Sequence, residues 1–245
     1  MQISNNKNIK LFEQIKEDFN VPKNNDPALN SRLEIFFNYP GVWAIINHRI
    51  ANKFYVNGFK KLARVYSGIS QFLTNTDIHP AATIGRRVFI DHGIGVVIGE
   101  TTIIEDDVLI YQGVTLGGVS LTKGKRHPTV KSNSVIGSGA KILGNIIIGV
   151  SSKVGANSVV ISDVPDYSTA VGIPAKVIKK YDNAGKFTHS DLPDIDKEAF
   201  KYLNKKIELL EKLLEDKAII SSENLNDLNQ KFDLIDDYFI DGAGI

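Results

Sequence analysis

Residues 130–160 read VKSNSVIGSGAKILGNIIIGVSSKVGANSVV, and an aliphatic residue stands at every sixth position of this stretch. A small residue often follows the aliphatic one, as in Ile136-Gly137 and Val154-Gly155. A short strand that buries one β-branched side chain, followed by a tight turn, accounts for this pattern. Three such strands make one coil, and stacked coils bury the aliphatic column. The stretch therefore predicts a parallel β-helix.

The same period continues upstream to Ile78, and only Thr102 interrupts a series of thirteen anchors. The predicted aliphatic anchors are Ile78, Ile84, Ile90, Val96, Val108, Val114, Val130, Ile136, Ile142, Ile148, Val154 and Val160. An amphipathic helix needs apolar spacings of three and four, and a half-buried strand needs alternation, so neither template fits. An ordinary β-sandwich is the remaining alternative, and thirteen positions in one phase argue against it.

One spacing in the series is irregular. Val114 and Val130 are sixteen positions apart, which is not a multiple of six, so a loop must leave the coil between Gly117 and Pro128. This excursion loop is polar, and loops that leave a repeat structure commonly carry function.

The segments that flank the repeat suggest helices, and we predict three domains: residues 1–76 helical, 77–180 β-helical, and 181–245 a linker, two amphipathic helices and a tail. Asp26-Pro27 is suited to begin a helix, with Asp26 as N-cap. A break at Tyr39-Pro40-Gly41 precedes an apolar helical stretch over 42–73. Apolar residues at helical spacing predict the two C-terminal helices, as coiled coils or as surface helices: Phe200, Leu203, Ile207, Leu210 and Leu214, then Leu225, Leu228, Phe232, Ile235 and Phe239.

Composition disfavours several classes of partner. The 245 residues are 42% apolar and 23% charged, and 29 basic side chains nearly balance 28 acidic ones. No long-range field therefore favours nucleic acid or an anionic membrane. No stretch approaches the ~18 consecutive apolar residues of a membrane span, and we predict a cytoplasmic protein. The absence of cysteine removes a thiol nucleophile and thiolate metal sites.

Three of the five histidines, His79, His92 and His127, lie in or beside the repeat. Three histidines at the edges of a β-helix could bind zinc, but no two of these are within a few residues of each other. Acid–base chemistry is the favoured interpretation, and no metal is predicted. The pairs Asp91-His92 and Arg126-His127 together supply a proton acceptor, a second imidazole and a fixed cation suited to a carboxylate.

A set of short motifs resembles the serine acetyltransferase family, over about residues 26–180. The specific part is Asp91-His92 together with Arg126-His127-Pro128. The rest comprises Asp26-Pro27-Ala28, Tyr39-Pro40-Gly41, residues 77–85 (DIHPAATIG), Gly93-Ile94-Gly95, Gly99-Glu100-Thr101, Val114-Thr115-Leu116-Gly117-Gly118, residues 139–145 (GAKILGN) and Gly172-Ile173-Pro174-Ala175. The last two groups occur in many hexapeptide acyltransferases. The resemblance implies a left-handed β-helix with helical extensions on both sides.

The resemblance also implies acetyl transfer from acetyl-coenzyme A to L-serine. Because the chain has no cysteine and no obvious acyl-serine motif, direct transfer in a ternary complex is preferred over a covalent relay. It assigns His92 as general base, Asp77 as the group that orients it, and His127 as an assistant at the serine hydroxyl or the tetrahedral centre. Arg126 would hold the substrate carboxylate, and Asp26 and Asp91 would bind its ammonium. The same groups would bind L-cysteine as an inhibitor. The pantetheine arm of the coenzyme would lie along the groove between neighbouring coils, near Gly118, Ser138 and Ala156. Lys153 and Lys176 are candidates for binding its phosphates, with solvated surface lysines as the alternative.

Assembly and competing functions remain open from the sequence. The resemblance implies a homotrimer, and the helical segment before the repeat is shorter than in longer family members, so a dimer of trimers is left undecided. The tail ends in Ile245, which resembles the tail by which this family binds O-acetylserine sulfhydrylase; a frayed terminus is the alternative. Transfer to a sugar or antibiotic hydroxyl, or a non-catalytic scaffold, are the competing functions.

Overall fold

The structure is a computed structural model that describes residues 10–180 and 195–216. In these ranges the helices are α1 (Leu11–Asn20), α2 (Pro22–Asn25), α3 (Arg32–Asn38), α4 (Pro40–Val56), α5 (Lys60–Thr74) and α6 (Ile195–Asp216). Helices α1 to α5 and the strands belong to one compact unit, and α6 belongs to a second. None of the helices in the described ranges is long and apolar enough to cross a membrane.

The repeat forms a left-handed parallel β-helix, as predicted. Its strands are β1 (Asp77–Ile78), β2 (Thr83–Ile84), β3 (Phe89–Ile90), β4 (Val97–Ile98), β5 (Ile103–Ile104), β6 (Leu109–Ile110), β7 (Thr115–Gly117), β8 (Thr129–Val130), β9 (Val135–Ile136), β10 (Lys141–Leu143), β11 (Ile147–Ile148), β12 (Lys153–Val154), β13 (Val159–Val160), β14 (Ser168–Gly172) and β15 (Ala175–Lys180).

The strands form the three faces of a prism. The first face has the order β1-β4-β7-β10-β13, the second β2-β5-β8-β11, and the third β3-β6-β9-β12-β14-β15. Every pairing is parallel except that of β14 with β15, which is antiparallel. We call the turns from the third face to the first the first corner, and the turns from the first face to the second the second corner.

The core confirms the predicted column, but with a shift of two residues from the second coil to the first strand of the third. Ile98, Ile110 and Leu116 stand where Val96, Val108 and Val114 were predicted. Strand register pairs Ile78 with Ile98 and Ile98 with Leu116, so Ile98, and not the predicted Val96, is the equivalent of Ile78. Val96 is buried as well. Each side of a coil thus points two side chains inward, one at the end of its strand and one two residues earlier.

The shift arises at the first corner, where Ile90 and Ile98 are eight positions apart and not six. Alternate residues of an extended chain face the same side. A two-residue insertion therefore moves the anchor position from Val96 to Ile98, and both side chains still point inward and are buried. In the observed phase Thr102 precedes the anchor Ile104, and the series is unbroken. The excursion loop leaves between β7 and β8, as predicted, and Leu116 and Val130 are fourteen positions apart.

Helices α4 and α5 cover the first coil, whose outer edge has no further coil to pair with. Ser67 donates to the carbonyl of Ile78 at 2.7 Å, and Asn52 donates to that of Pro80 at 2.8 Å. Arg49 donates to two carbonyls of the same coil and forms a buried ion pair with Asp18 at 3.0 Å. These side chains satisfy backbone acceptors that the end of a solenoid would otherwise leave unpaired.

The flanking helices agree with the prediction in part. The break at Tyr39 is confirmed, since α3 ends at Asn38 and α4 begins at Pro40. The prediction that Asp26 begins a helix is wrong, because Asp26 follows the end of α2 and the next helix starts at Arg32. Helix α6 confirms the first predicted C-terminal helix. The second, over 225–239, lies outside the described residues.

Candidate functional site

His92 lies at the first corner, in a turn that is longer than its neighbours. Six residues, 91–96, separate β3 from β4, whereas four separate the corresponding strands of the next coils. The backbone takes positive φ at His92 (58°), Gly93 (76°) and Gly95 (74°). This sequence of left-handed residues reverses the chain sharply and leaves the His92 side chain exposed. The two inserted residues therefore build the turn that presents His92.

Two carboxylates and two tyrosines surround this turn. The Tyr39 hydroxyl donates to Oδ2 of Asp26 at 2.5 Å, and the Ala28 amide donates to Oδ1 at 2.8 Å. These two bonds, with a smaller contribution from the charge of His92, lower the pKa of Asp26. The lowered pKa favours the ionised form of Asp26 at neutral pH. Together with Asp91, which directly precedes His92, it offers two carboxyl groups suited to an ammonium group.

Tyr111 reports the same neighbourhood. Burial raises the pKa of its half-buried phenol, and the charges of Asp91 and Asp26 raise it further. Burial likewise raises the pKa of Tyr39, with contributions from Asp26 and Asp91. The charges of both Asp26 and Asp91 raise the pKa of Tyr39 and of Tyr111, and the charge of His92 acts on Asp26. Asp26 and Asp91 therefore lie in the same neighbourhood as His92 in one chain.

The second corner holds the other predicted pair. Nη2 of Arg126 donates to Oε2 of Glu100 at 2.7 Å, in a half-exposed ion pair. His127 is 8% exposed, and its Nδ1 lies 2.9 Å from Oγ1 of Thr101. Burial lowers the pKa of His127, followed by the charges of Arg126 and Lys125. The ring is therefore neutral at pH 7.

A cavity of about 300 Å³ adjoins this corner and reaches onto the first face. It is lined by Arg64, Asp77, His79, Val97, Ile98, Gly99, Glu100, Arg126 and His127. Burial lowers the pKa of His79, and its Nδ1 accepts the Ala81 amide at 3.1 Å. The cavity thus combines one carboxylate of the predicted site, Asp77, with the Arg126-His127 pair.

The predicted site residues therefore form two groups in one chain. Asp26, Asp91 and His92 lie at the first corner, while Arg126 and His127 lie at the second, with the first face between them. Among the described residues, neither the His92 ring nor the Asp77 carboxylate makes a hydrogen bond or an ion pair. The predicted orientation of His92 by Asp77 is thus not formed within a single chain.

The histidines do not converge either. His79 and His127 line the cavity, whereas His92 lies at the other corner. Residues 10–180 and 195–216 contain no group of three or more His, Asp or Glu side chains placed to hold a metal ion.

Comparison with known proteins identifies the family. The serine acetyltransferase of Bacillus subtilis strain 168 is 50% identical over 209 residues, which are 84% of this chain and 96% of that protein. The serine acetyltransferase of Synechococcus elongatus is 43% identical over 244 residues, which are 96% of this chain and 100% of that protein. The chain belongs to the serine acetyltransferase family. No family model matches the chain.

Solved structures of serine acetyltransferases share the fold. The soybean serine acetyltransferase complexed with serine has a TM-score of 0.66 and 42% identity and covers 69% of each chain. A serine acetyltransferase in complex with cysteine has a TM-score of 0.67 and 41% identity, over 69% of this chain and 70% of that one. The enzyme from Brucella abortus strain S19 in complex with coenzyme A has a TM-score of 0.66 and 41% identity, over 69% and 68%.

The residues of this serine acetyltransferase that were predicted to bind the coenzyme lie on several parts of the prism. Ser138 and Ala156 lie in the first-corner turns of two successive coils. The Asn157 amide donates to the Ser138 carbonyl at 2.8 Å and joins these turns. Gly118 lies at the second corner. Lys153 is on the third face in β12, and Lys176 is on the same face in β15. One chain brings Ser138 and Ala156 together and places Gly118 across the first face from them.

Sequence reasoning assigned no role to several residues at the site of this family member. Tyr39, Glu100 and Thr101 stand within motifs that carried the family resemblance, but only hydrogen bonding shows what they touch. Tyr111 and Lys125 gave no signal. An aromatic residue in a coil turn and a lysine in a polar loop are ordinary surface features until their partners are known.

Proposed function

We propose that the protein transfers the acetyl group of acetyl-coenzyme A to the hydroxyl of L-serine, giving O-acetyl-L-serine and coenzyme A, as the first step of cysteine biosynthesis. One observation carries the proposal: in a serine acetyltransferase chain, an inserted turn presents an exposed imidazole, His92, beside two carboxylates. A free amino acid with an alcohol side chain offers an ammonium group to the carboxylates and a hydroxyl to the imidazole.

His92 acts as the general base. The serine hydroxyl is a poor nucleophile, and removal of its proton as it attacks the thioester carbonyl is worth on the order of 10² to 10⁴ in rate. The exposed ring is free to accept that proton, and its two neighbouring carboxylates stabilise the imidazolium that forms. The thiolate of coenzyme A leaves as the tetrahedral centre collapses and takes up the proton.

Arg126 binds the substrate carboxylate, and His127 assists at the tetrahedral centre. Glu100 occupies only one of the five N–H donors of the guanidinium, so others remain for the substrate. The ion pair with Glu100 also fixes the orientation of Arg126. Asp26 and Asp91 hold the ammonium.

A homotrimer completes the site. The first corner supplies the base and the ammonium site, the second supplies the carboxylate site, and Asp77 lies on the first face in the cavity beside Arg126 and His127. Neighbouring chains would therefore join corner to corner. Mixing inactive His92→Asn chains with inactive His127→Asn chains tests this arrangement. Refolded mixtures should recover activity, because some sites combine two intact corners; no recovery would exclude a shared site. A dimer of trimers is not required by this arrangement.

Acetyl-coenzyme A is proposed to lie along the first corner, in the groove between neighbouring coils, beside Ser138 and Ala156. The small side chains allow the pantetheine arm to approach the backbone. Gly118 of the adjoining chain closes the groove beside His127. Lys153 and Lys176 serve the coenzyme phosphates.

L-Cysteine inhibits by occupying the serine site. It has the same ammonium and carboxylate, so Asp26, Asp91 and Arg126 bind it equally well, and a related serine acetyltransferase has been solved in complex with cysteine. Cysteine should therefore raise the apparent KM for serine. Inhibition that additional serine does not relieve would contradict this mode.

The C-terminal residue Ile245, which lies outside the described residues, is proposed to bind O-acetylserine sulfhydrylase. An apolar side chain that follows an acidic segment suits insertion into a partner pocket. A cytoplasmic location fits a donor and an acceptor that are both metabolites of the cell interior.

An acceptor screen tests the proposed reaction. Release of the coenzyme A thiol should be fastest with L-serine, and both L-serine methyl ester and N-acetyl-L-serine should be poor acceptors because each lacks one charged group. A galactoside or chloramphenicol that is acetylated faster than L-serine would redirect the proposal to another acceptor. No thiol release with any acceptor would favour a scaffold.

A further inference from the structure

His127 is held by a cluster of hydrogen bonds that involve Thr101. The Thr101 amide donates to Nδ1 of His127 at 3.2 Å, and Oγ1 of Thr101 lies 2.9 Å from the same nitrogen. Oγ1 also accepts the amides of Arg126 at 3.0 Å and His127 at 3.1 Å. A hydroxyl has two lone pairs and one proton, so with both lone pairs engaged Oγ1 must donate its proton to Nδ1.

These contacts determine the tautomer of the ring. Nδ1 receives two donors from Thr101 and is therefore an acceptor, and the neutral ring must carry its proton on Nε2. Burial and the nearby charges of Arg126 and Lys125 lower the pKa of His127, and Glu100 opposes them more weakly. An imidazolium carries a proton on Nδ1, and that proton would face the N–H and O–H donors of Thr101, which is unfavourable.

Lys125 fixes the backbone around this ring. Its Nζ donates to the carbonyls of Thr101 at 2.9 Å and Pro128 at 3.1 Å, and also to the carbonyl of His127. Three acceptors from two separate segments converge on one ammonium group. Lys125 thereby joins the end of the excursion loop to the turn that carries Thr101.

Glycines place the Nε2 edge of the ring. A Cβ at Gly99 would lie 2.1 Å from Nε2 of His127, which no side chain could occupy without moving the ring, and a Cβ at Gly118 would lie 3.2 Å away. The ring therefore lies directly against Gly99, in the wall of the 300 Å³ cavity. No described residue of the chain hydrogen-bonds to Nε2.

We propose that Thr101 and Lys125 are positioning residues that hold His127 as a neutral Nε2–H donor facing the cavity. In this state His127 cannot act as a base at Nε2. It acts as a fixed hydrogen-bond donor to the carbonyl oxygen that becomes negative during acetyl transfer. The tautomer follows from the structure alone, and only the use of the donor rests on the proposed function.

Histidine-selective ¹⁵N NMR of the full chain tests the tautomer without any substrate. The His127 resonances are assigned by their loss in His127→Asn. We expect the Nε2–H pattern in the wild type from pH 6 to 8. Thr101→Val should shift the population toward Nδ1–H and raise the pKa of His127, while Thr101→Ser should keep the wild-type pattern. A His127 ring that shows Nδ1–H in the wild type, or that is unchanged in Thr101→Val, would overturn the proposal.

Lys125→Met provides a second variant, with Lys123→Met in the same loop as its matched control. Lys125→Met should broaden or shift the His127 signals, and Lys123→Met should leave them in place. Unchanged His127 signals in Lys125→Met would remove Lys125 from the proposal.

Kinetics separate this inference from the proposed reaction. With L-serine and acetyl-coenzyme A, Thr101→Val should lower kcat by about 10- to 100-fold, near the low end of effects for a lost transition-state donor, with KM for serine changed less than about threefold. Thr101→Ser should stay within about threefold of wild type. A wild type that shows the Nε2–H tautomer but no serine acetylation would contradict the proposed function and leave the positioning role standing.

Discussion

The hydroxyl of Tyr39 donates a hydrogen bond of 2.5 Å to Oδ2 of Asp26, and so joins the start of α4 to the residue that follows α2. This bond is the largest cause of the lowered pKa of Asp26. Tyr39, thirteen positions away, thus helps to position the Asp26 carboxylate and favours its ionised form. The proposed ammonium site therefore depends on the helical segment as well as on the β-helix.

Tyr39→Phe should raise KM for serine about tenfold and change kcat little. The variant removes a hydrogen bond to a charged group, worth about 1.5–3 kcal/mol, and part of that loss is shared by the backbone bond from Ala28. The pKa of Asp26 should also rise, so Asp26 should become protonated at a higher pH than in the wild type. As the pH is lowered, serine binding should therefore weaken earlier in Tyr39→Phe. Steady-state kinetics between pH 5 and 8 measure both effects.

Tyr66→Phe is the matched control, because it also removes a tyrosine hydroxyl. That hydroxyl donates to Oδ1 of Asn47 at 3.1 Å and does not contact Asp26. An equal rise of KM in both variants would show that the Tyr39 effect is not specific to Asp26.

Gly93→Ala should reduce activity and stability more than Gly95→Ala. Both glycines have positive φ, 76° and 74°, so both substitutions carry a similar backbone cost of about 1 kcal/mol. A Cβ at Gly93 would also lie 3.0 Å from Oγ1 of Thr76 and 3.2 Å from Gly41, whereas at Gly95 the nearest atom is 3.7 Å away. The additional crowding should displace the His92 turn from α4. Urea unfolding and kcat for the two variants check this, and equal effects would contradict it.

Thr102→Val should stabilise the protein by about 1 kcal/mol. Oγ1 of Thr102 is buried in the coil interior without a hydrogen-bond partner, so replacing the hydroxyl by a methyl group removes a desolvation cost. Thr76→Val is the opposite case, because Oγ1 of Thr76 is buried and donates to the Gly93 carbonyl at 2.9 Å. It should destabilise by about 1–2 kcal/mol. Urea midpoints that move in the same direction for both variants would contradict the hydrogen bonding described here.

His48 should make the protein sensitive to acid. Burial lowers the pKa of His48 to about 3, and its Nδ1 has no partner. Because the unfolded ring titrates near 6.5, the unfolded chain binds more protons below that pH, and stability falls by up to about 1.4 kcal/mol per pH unit from pH 6.5 downward. His48→Gln should flatten this slope. Urea midpoints at pH 7.5 and 5.0 measure it, and parallel slopes in both proteins would exclude His48 as the cause.

The sequence predicted the β-helix because each coil repeats one simple requirement, an aliphatic side chain directed inward at every sixth position. It could not place the second coil correctly, since Val96 and Ile98 are both apolar and both buried, and only strand pairing distinguishes them. The same two-residue insertion creates the His92 turn. The motif around His92 was visible, but the lengthened corner that presents it was not.

The candidate site was also predicted only in part. His92, Arg126 and His127 were predicted because two histidine-containing pairs occur in or beside the repeat and match the motifs that carry the family resemblance. Asp26 was expected to begin a helix and instead binds Tyr39, because local capping preferences do not foresee a partner thirteen positions away. The separation of Asp77 from the Asp26 group also depends on the faces of the prism, which a period of six does not reveal.

The proposed role of His92 is to remove the proton from the serine hydroxyl during attack on acetyl-coenzyme A. The measurement that decides this role is kcat for coenzyme A thiol release at saturating L-serine and acetyl-coenzyme A, compared between the wild type and His92→Asn. We expect kcat to fall by about 10² to 10⁴ in His92→Asn, while both KM values stay within a few-fold. A His92→Asn protein that keeps kcat within about threefold of the wild type would contradict it.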